Sequence, residues 1–441
     1  MKKTRKLIAA VLALLLIPAL CACEELDSIR SQLPDPPKVD ESPAPTEEVS
    51  EPVESEPVES EAPETPAAPD ADGTQVFVSF TADTKESYDP QNGTELILTF
   101  SSVVPKVNIV GSDGAAAEKI NTALGLIEET YYTGNDYGYG TATGYNMMLE
   151  LAEDNYSYVV GNGLAGVSLQ LSASRTVSVS RADGAVISLL YNDYEFTGGA
   201  HGNYGTRSFV FDTRTGELLT LDSLSSDPAA LKEVLLTKMQ TAVEEDKDGY
   251  YSNHIDPSLD LTSALPALLR EGSWDLGDDG LEIFSSLYEL GPYAAGITEF
   301  TIPYSELTNV LDSKWIPAAK SGDGTLSISP IDAVDDGTVQ IVGKVTVDAE
   351  GQEYCLKADG AVYDVTISSG MYSEQFYKNM DLWYANLISD SAVQLQLTLP
   401  EGLPNLMISY RDSAGESHEL FITGSEGNIQ LTDPTGVQAV G

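Results

Sequence analysis

Between Tyr191 and Leu224 the chain reads YNDYEFTGGAHGNYGTRSFVFDTRTGELLTLDSL, and this stretch restricts the possible folds more than any other. Four glycines, Gly198, Gly199, Gly202 and Gly205, free the backbone for a sharp reversal. SFVFD followed by ELLTL across Thr213 to Gly216 predicts a strand, a glycine turn and a second strand. A chain with this centre builds a hairpin-bearing sheet. His201, one of three histidines, sits inside the reversal.

The flanks extend that sheet. GVSLQLSAS, RTVSVSRAD and AVISLLYNDYEF alternate with period two, as antiparallel strands with one wet face do. VFVSF and ELILTFSSVVPKVNIV predict two earlier strands, the second bending at Pro105. Helices interleave with them. Ala116, Ile120, Ala123, Leu124 and Ile127 share one helical face. Asp227 as N-cap, Pro228 at the first position and the stripe Leu231, Val234, Leu235, Met239 and Ala242 predict a second helix running to Glu245. A shorter one follows from Thr262 to Arg270, then two strands joined at Asp278 to Gly280 and a strand reaching Leu307. The stretch Tyr131 to Tyr145, rich in tyrosine and glycine, fits a ligand surface or an irregular loop whose rings cap the sheet, and the loop is the simpler reading.

From about Gly322 the sequence turns mostly β, with one helix expected over Ser373 to Leu387, where Phe376, Met380, Trp383, Tyr384 and Leu387 share a helical face. The fold class is therefore α+β. An antiparallel sheet with packed helices is expected over 74–320, followed by a smaller, mostly-β, sandwich-like domain over 321–441.

The N-terminal stretch carries an address. Lys2, Lys3, Arg5 and Lys6 precede an apolar run from Leu7 to Ile17 that is too short to span a bilayer. Leu20, Cys21, Ala22 and Cys23 resemble the bacterial lipobox. That resemblance implies a lipoprotein signal peptide over 1–22, lipidation of Cys23, and a chain held at the extracytoplasmic face of the bacterial cell membrane by lipid alone. Residues 23–73, with the tandem EPVES EPVES, read as a disordered acidic tether rich in proline and glutamate. Fully extended, such a tether reaches roughly 150 Å.

With 69 acidic residues against 23 basic ones, the formal net charge of −46 argues against nucleic acid and anionic membrane surfaces as partners and favours cationic ones or a merely solvated surface, the solvated surface being the simpler reading. Catalytic constellations are missing. His201, His254 and His418 share no metal-ligand spacing, and no GxSxG, phosphate loop or paired-cysteine zinc motif occurs. Asp275 to Glu282 superficially resembles a calcium loop, but Gly277 occupies the third ligand position and Ser286 the twelfth, so a hairpin turn is the better reading. Cys355, between Tyr354 and Leu356, reads as a small buried hydrophobe. No catalytic, metal or cofactor site is expected, although paired carboxylates for glycoside chemistry stay open in so acidic a chain.

YEFTGGAHGNYGTRSFVFDTRTGELLTLDSL and WDLGDDGLEIFSSLYELGPYAAGITEFTIPYSEL, in that order, resemble the RsiV-like extracytoplasmic domain, which is also found ahead of the deacetylase module of PdaC. The resemblance covers roughly residues 85 to 316. Only six residues precede the apolar run, so neither a cytoplasmic sigma-binding region nor a deacetylase module is expected. RsiV-like ectodomains are receptors for lysozyme. The resemblance thus implies capture of a cationic wall-active protein such as lysozyme, or of a peptidoglycan fragment, with Tyr194, Phe196, His201, Tyr204, Tyr288 and Tyr293 as candidate binding residues. The alternative is a wall-modifying hydrolase that uses carboxylates near the GGAH turn.

Overall fold

A computed structural model describes residues 74–434, apart from 112–113, 135–143, 165–166, 247–248, 322–323, 335–338, 374, 400–402 and 426–427. The signal peptide, Cys23 and the tether lie outside the described residues. The chain opens with β1 (Gln75–Tyr88) and β2 (Leu96–Val110), followed by the helices α1 (Ala115–Thr133) and α2 (Gly144–Gly161). The hairpin region holds β3 (Leu171–Ala182), β4 (Val186–Phe196) and β5 (Asn203–Asp212). Next come α3 (Pro228–Glu245), α4 (Tyr250–His254), α5 (Leu261–Ala267), β6 (Trp274–Leu276), β7 (Gly280–Phe284), β8 (Glu299–Pro303) and α6 (Tyr304–Leu307). The rest is strand: β9 (Leu326–Pro330), β10 (Gln340–Thr346), β11 (Gln352–Ala358), β12 (Val362–Tyr372), β13 (Phe376–Leu387), β14 (Ser391–Leu397), β15 (Leu406–Arg411), β16 (Ser417–Ser425) and β17 (Asn428–Thr432).

The architecture is mixed, with large sheets and few helices. One ten-stranded sheet runs in the order β17-β16-β15-β12-β13-β1-β2-β3-β4-β5. Its middle is the pairing of β1 with β13, Val78 opposite Tyr384, so strands from both sides of residue 320 share a single sheet. The β3–β5 end is covered on both faces. On one face α1 packs Ile120, Leu124 and Ile127 against Ile187, Leu189 and Phe209. On the other, Val186 and Val210 meet the three-stranded sheet β6-β7-β8 and Leu231, Leu235 and Met239 of α3. At the far end the sheet shares an apolar cluster with a four-stranded sheet, β10-β14-β11-β9, in which Val345, Leu356 and Leu395 face Ile367, Trp383 and Ile408. Each such side chain, fully buried, contributes about 1.5–3 kcal/mol.

Several elements differ from the sequence expectation. The helix expected over Ser373 to Leu387 is strand β13. Trp383 faces the four-stranded sheet while Tyr384 joins the core under α1, so the strand is apolar on both faces and loses its period-two signature. The second hairpin strand, ELLTL, shrinks to a single bridge between Phe211 and Leu218, because Thr220 caps a short 3-10 turn over Leu221–Leu224. The strand expected to reach Leu307 stops at Pro303, where α6 begins. The sheets are not wholly antiparallel: β2 pairs with β3, and β10 with β14, in parallel. The first of these follows from a crossover through α1 and α2, which returns the chain in the same direction.

Helix α2 went unforeseen. Tyr131 closes α1 and Tyr145 opens α2, and with Tyr132 they surround Phe100 of β2 at centroid distances of 4.9, 5.6 and 5.2 Å, so these rings do cap the sheet. The middle of that stretch, 135–143, lies outside the described residues. Cys355, on β11, is buried and free, and burial pushes its thiol up. Among the described residues no helix is long and apolar enough to cross a membrane.

Candidate functional site

Antiparallel pairing of β4 with β5 sets Tyr194 directly opposite Tyr204. The reversal between these strands carries His201 back over the sheet end. There it meets a residue ninety-two positions later: the imidazole stacks on the Tyr293 ring at 3.8 Å between centroids and 25° between planes. Tyr204 approaches the same ring edge-on at 5.9 Å, and Tyr288 lies tilted against it at 5.8 Å. Three side chains thus converge on Tyr293.

The backbone holds this group together. The Tyr293 hydroxyl donates to the Gly202 carbonyl at 2.6 Å, and the same oxygen lies 3.0 Å from His201 Nδ1. A carbonyl can only accept, so Nδ1 carries a proton. Burial first, then Tyr204, Tyr194 and Tyr288, raise the Tyr293 phenol above its ordinary value, which keeps it a hydroxyl donor. Gly202 has a steric reason: a Cβ there would lie 2.4 Å from Cζ of Tyr194, so glycine lets that ring lie over the turn.

Tyr288 and Tyr293 are presented by the loop between β7 and β8, whose base is closed by Ser285 N donating to Thr298 O at 2.9 Å. Arg270 grips Glu289 through Nη1 at 2.6 Å and Nη2 at 2.8 Å, and Ser286 N donates to Glu289 Oε2 at 2.7 Å. The Tyr250 hydroxyl donates to Ile297 O at 3.3 Å, and the Tyr250 ring stacks on His254 at 4.0 Å. The loop is therefore tied down on both flanks. Tyr288 nevertheless holds φ of 63°, a conformation costly for a non-glycine residue, and its side chain is 59% exposed. Tyr194 is 40% exposed. What this surface offers chemically is a platform of π faces and hydroxyls.

Of the six candidate residues, His201, Tyr204, Tyr288 and Tyr293 assemble through ring contacts, and Tyr194 joins through Gly202 and its pairing with Tyr204. Phe196 lies two residues further along the same face of β4, half-buried, and among the described residues no ring contact joins it to the group. The Tyr250–His254 stack was missed in the sequence, although its one-turn spacing in YYSNH is the signal that could have revealed it.

No carboxylate among the described residues contacts His201. Burial raises Glu128 on α1, and three further raised carboxyls lie on the β6–β7 hairpin, away from His201. Asp275 is fully buried between the sheets, takes hydrogen bonds from the Ser188 and Ser208 hydroxyls, and is raised by that burial. Glu282, opposite it, is pushed up to about 7 by burial and then by Asp275 and Glu299. Asp278, at the hairpin tip, is raised to about 7, chiefly by burial and by Asp364. The hairpin reading of Asp275 to Glu282 matches these strands, and among the described residues no three His, Cys, Asp or Glu side chains converge as a metal site.

Residues 222–305 match the family described as "Protein of unknown function (DUF3298)". Over 201 residues the chain is 21% identical to "Peptidoglycan-N-acetylmuramic acid deacetylase PdaC" of Bacillus subtilis (strain 168), a match covering 44% of this chain and 39% of that protein's length. Two solved DUF3298 structures are similar at 16% identity. One, from Bacteroides fragilis NCTC 9343, has a TM-score of 0.40 and covers 54% of this chain and 94% of its own. The other, from Pseudomonas aeruginosa PAO1, has a TM-score of 0.35 and covers 55% and 97%. The chain thus carries a DUF3298-type segment, which supplies Tyr288 and Tyr293, while Tyr194, His201 and Tyr204 come from the strands ahead of it.

Proposed function

We propose that this chain is a lipid-anchored cell-envelope protein that uses Tyr194, His201, Tyr204, Tyr288 and Tyr293 to capture an extracytoplasmic ligand, a cationic wall-active protein such as lysozyme. The observation that carries this reading is the convergence of His201, Tyr204 and Tyr288 on Tyr293, at an exposed surface built from two distant segments. Exposed aromatic anchors held by a rigid backbone lose little freedom on binding, which is why tyrosine is enriched among residues that dominate interfaces.

Charge supports a cationic partner. Acidic residues outnumber basic ones three to one, and many of the bases are already engaged: Arg175, Arg181, Arg214, Arg270, Lys232, Lys238 and Lys357 each pair with an acid. The surplus field is negative and steers cations. Similarity to a protein named as a peptidoglycan deacetylase supports an envelope setting, and a glycan fragment is the second ligand class, because sugar rings stack on tyrosine. A lipid at Cys23 and a tether over 24–73 would hold the platform away from the membrane. Hydrolysis by carboxylates near the GGAH turn has less support, since His201 meets a ring and a carbonyl there and not an acid.

Calorimetry of lysozyme, and of an unrelated protein of equal basicity, at low and physiological salt tests the reading. Binding specific to lysozyme that survives the higher salt, and that weakens about thirtyfold in Tyr293→Ala, is expected. Equal binding to both basic proteins would reduce the interaction to charge and sink the platform.

A further inference from the structure

The tip of the β6–β7 hairpin touches the C-terminal strands through a cluster that the binding platform does not use. Lys320 Nζ lies 2.9 Å from Asp278 Oδ2 and 3.0 Å from Asp364 Oδ2, so one ammonium bridges a carboxylate of the hairpin and a carboxylate of β12. Arg411 of β15 adds Nη1 at 3.6 Å from Asp278 and 3.8 Å from Asp364, and Nη2 at 3.7 Å from Asp279. The Tyr384 hydroxyl of β13 donates to Asp364 Oδ1 at 2.6 Å. The backbone around the cluster is fastened to the same strands: Asp364 N donates to Asn386 Oδ1 at 2.9 Å, and Ser321 N to the Tyr363 hydroxyl at 2.8 Å. Asp364 itself holds φ of 54°, a strained setting for a non-glycine residue.

We propose that Asp278 and Asp364 form a proton-operated clasp, closed on Lys320 and Arg411 while the pair retains one proton, and loosened when that proton leaves.

The charges around Asp278 explain why. From its own hairpin it faces Glu282; from the segment before β9, Lys320; from β12, Asp364; from β13, the neutral Tyr384; and from β15, Arg411, which also reaches the neighbouring Asp279. With Asp278 protonated, the Asp364 carboxylate and the neighbouring hairpin acids already face Lys320 and Arg411. Losing the Asp278 proton adds a negative charge, with no further cation at the cluster among the described residues. The bond to Asp278, then the Lys320 charge and the Tyr384 donor, decide which carboxyl keeps the proton. Burial pushes Asp364 up, but the bond to Asp278, the Lys320 charge and the Tyr384 donor outweigh it, so Asp364 stays lowered while Asp278 is raised to about 7. The sign follows: the folded state holds the Asp278 proton more tightly than the open one. The Asp278 contribution is therefore complete at the ordinary carboxylate range, where the lowered Asp364 is still ionised, and is lost as pH rises toward about 7.

The test is amide hydrogen exchange of the full chain at pH 5.5 and pH 8, corrected for the intrinsic pH effect, read at Ser321 and Asp364. One-proton linkage predicts at least about tenfold more opening of these amides at pH 8. Asp278→Asn keeps the shape and cannot gain the charge, so it should abolish the difference, whereas Glu282→Gln should retain it. Equal opening of the unaltered chain at both pH values, or a difference that persists in D278N, overturns the clasp. Carbon-13 titration of the unaltered chain gives a check that needs no variant: one carboxyl of the pair titrating near neutrality supports the proposal, and both titrating below pH 5 overturns it.

Discussion

Strand β4 carries two neighbours with opposite roles. Tyr194 projects outward into the ring platform, while Asp193 points inward under α1 and closes a two-point pair with Arg175, Nε to Oδ1 and Nη2 to Oδ2, both at 2.7 Å. Arg175 is 2% exposed and lies 4.1 Å from the centre of the Tyr131 ring. Charge is inside and aromatic surface is outside, the reverse of the common arrangement. The contrast separates two kinds of residue. The buried pair demands its partner, since either ion alone would be an uncompensated charge in a dry interior. The rings of the platform are positioned by backbone groups and can be altered one at a time. Stability and ligand capture are therefore expected to respond to different substitutions.

Breaking the inner pair should have the largest effect. Asp193→Ala is expected to lower stability by about 3–5 kcal/mol in urea unfolding, as loss of one partner of a buried pair does, and a change under about 1 kcal/mol would erase the distinction. On the outer side, Tyr293→Ala should weaken ligand binding by about 2 kcal/mol while shifting the unfolding midpoint far less than Asp193→Ala. Gly202→Ala sharpens the contrast. The added methyl must drive the exposed Tyr194 ring aside, so binding should fall several-fold while stability stays within about 1 kcal/mol; a large stability loss would mean that the turn, not the ring, had been disturbed.

The smallest effect concerns pH. Glu282 is raised to about 7, so its neutral form stabilises the fold fully below the ordinary carboxylate range, and that contribution is lost as pH climbs to about 7. Glu282→Gln should flatten that fall in urea unfolding curves collected between pH 4.5 and 7.5. Tyr293, raised above its ordinary value, gains no charge in the same window.

The hairpin centre was legible because glycines at a reversal and period-two flanks are local signals, and β4 and β5 follow them. Strand β13 was not. Its pairing with β12 shifts register at several points, and its WYANL segment is buried on both faces, so the spacing of Phe376, Met380 and Trp383 imitated a helix. Helix α2 did carry helical spacing in Met148, Ala152, Tyr156 and Val159, but attention to the tyrosines and glycines of Tyr131 to Tyr145 ahead of it left that spacing unread. At the platform, individual residues were visible and their assembly was not. The stacking of His201 on Tyr293 depends on the three-stranded sheet docking beside β5, a contact that no local pattern encodes. The same holds for Lys320 between Asp278 and Asp364, which draws on residues eighty-six positions apart.

The place of β1 carries a mechanical consequence. The described chain begins at this strand, which is bonded to β2 along its whole length and to β13 at Phe77, Val78 and Ser79. A pull transmitted along the chain from its N-terminal side, against a partner seated at the distant sheet end, would load both ladders parallel to the strand axis. Every rung would then share the force and no single bond would be peeled first, so under such a load the first strand would be the strain-bearing member.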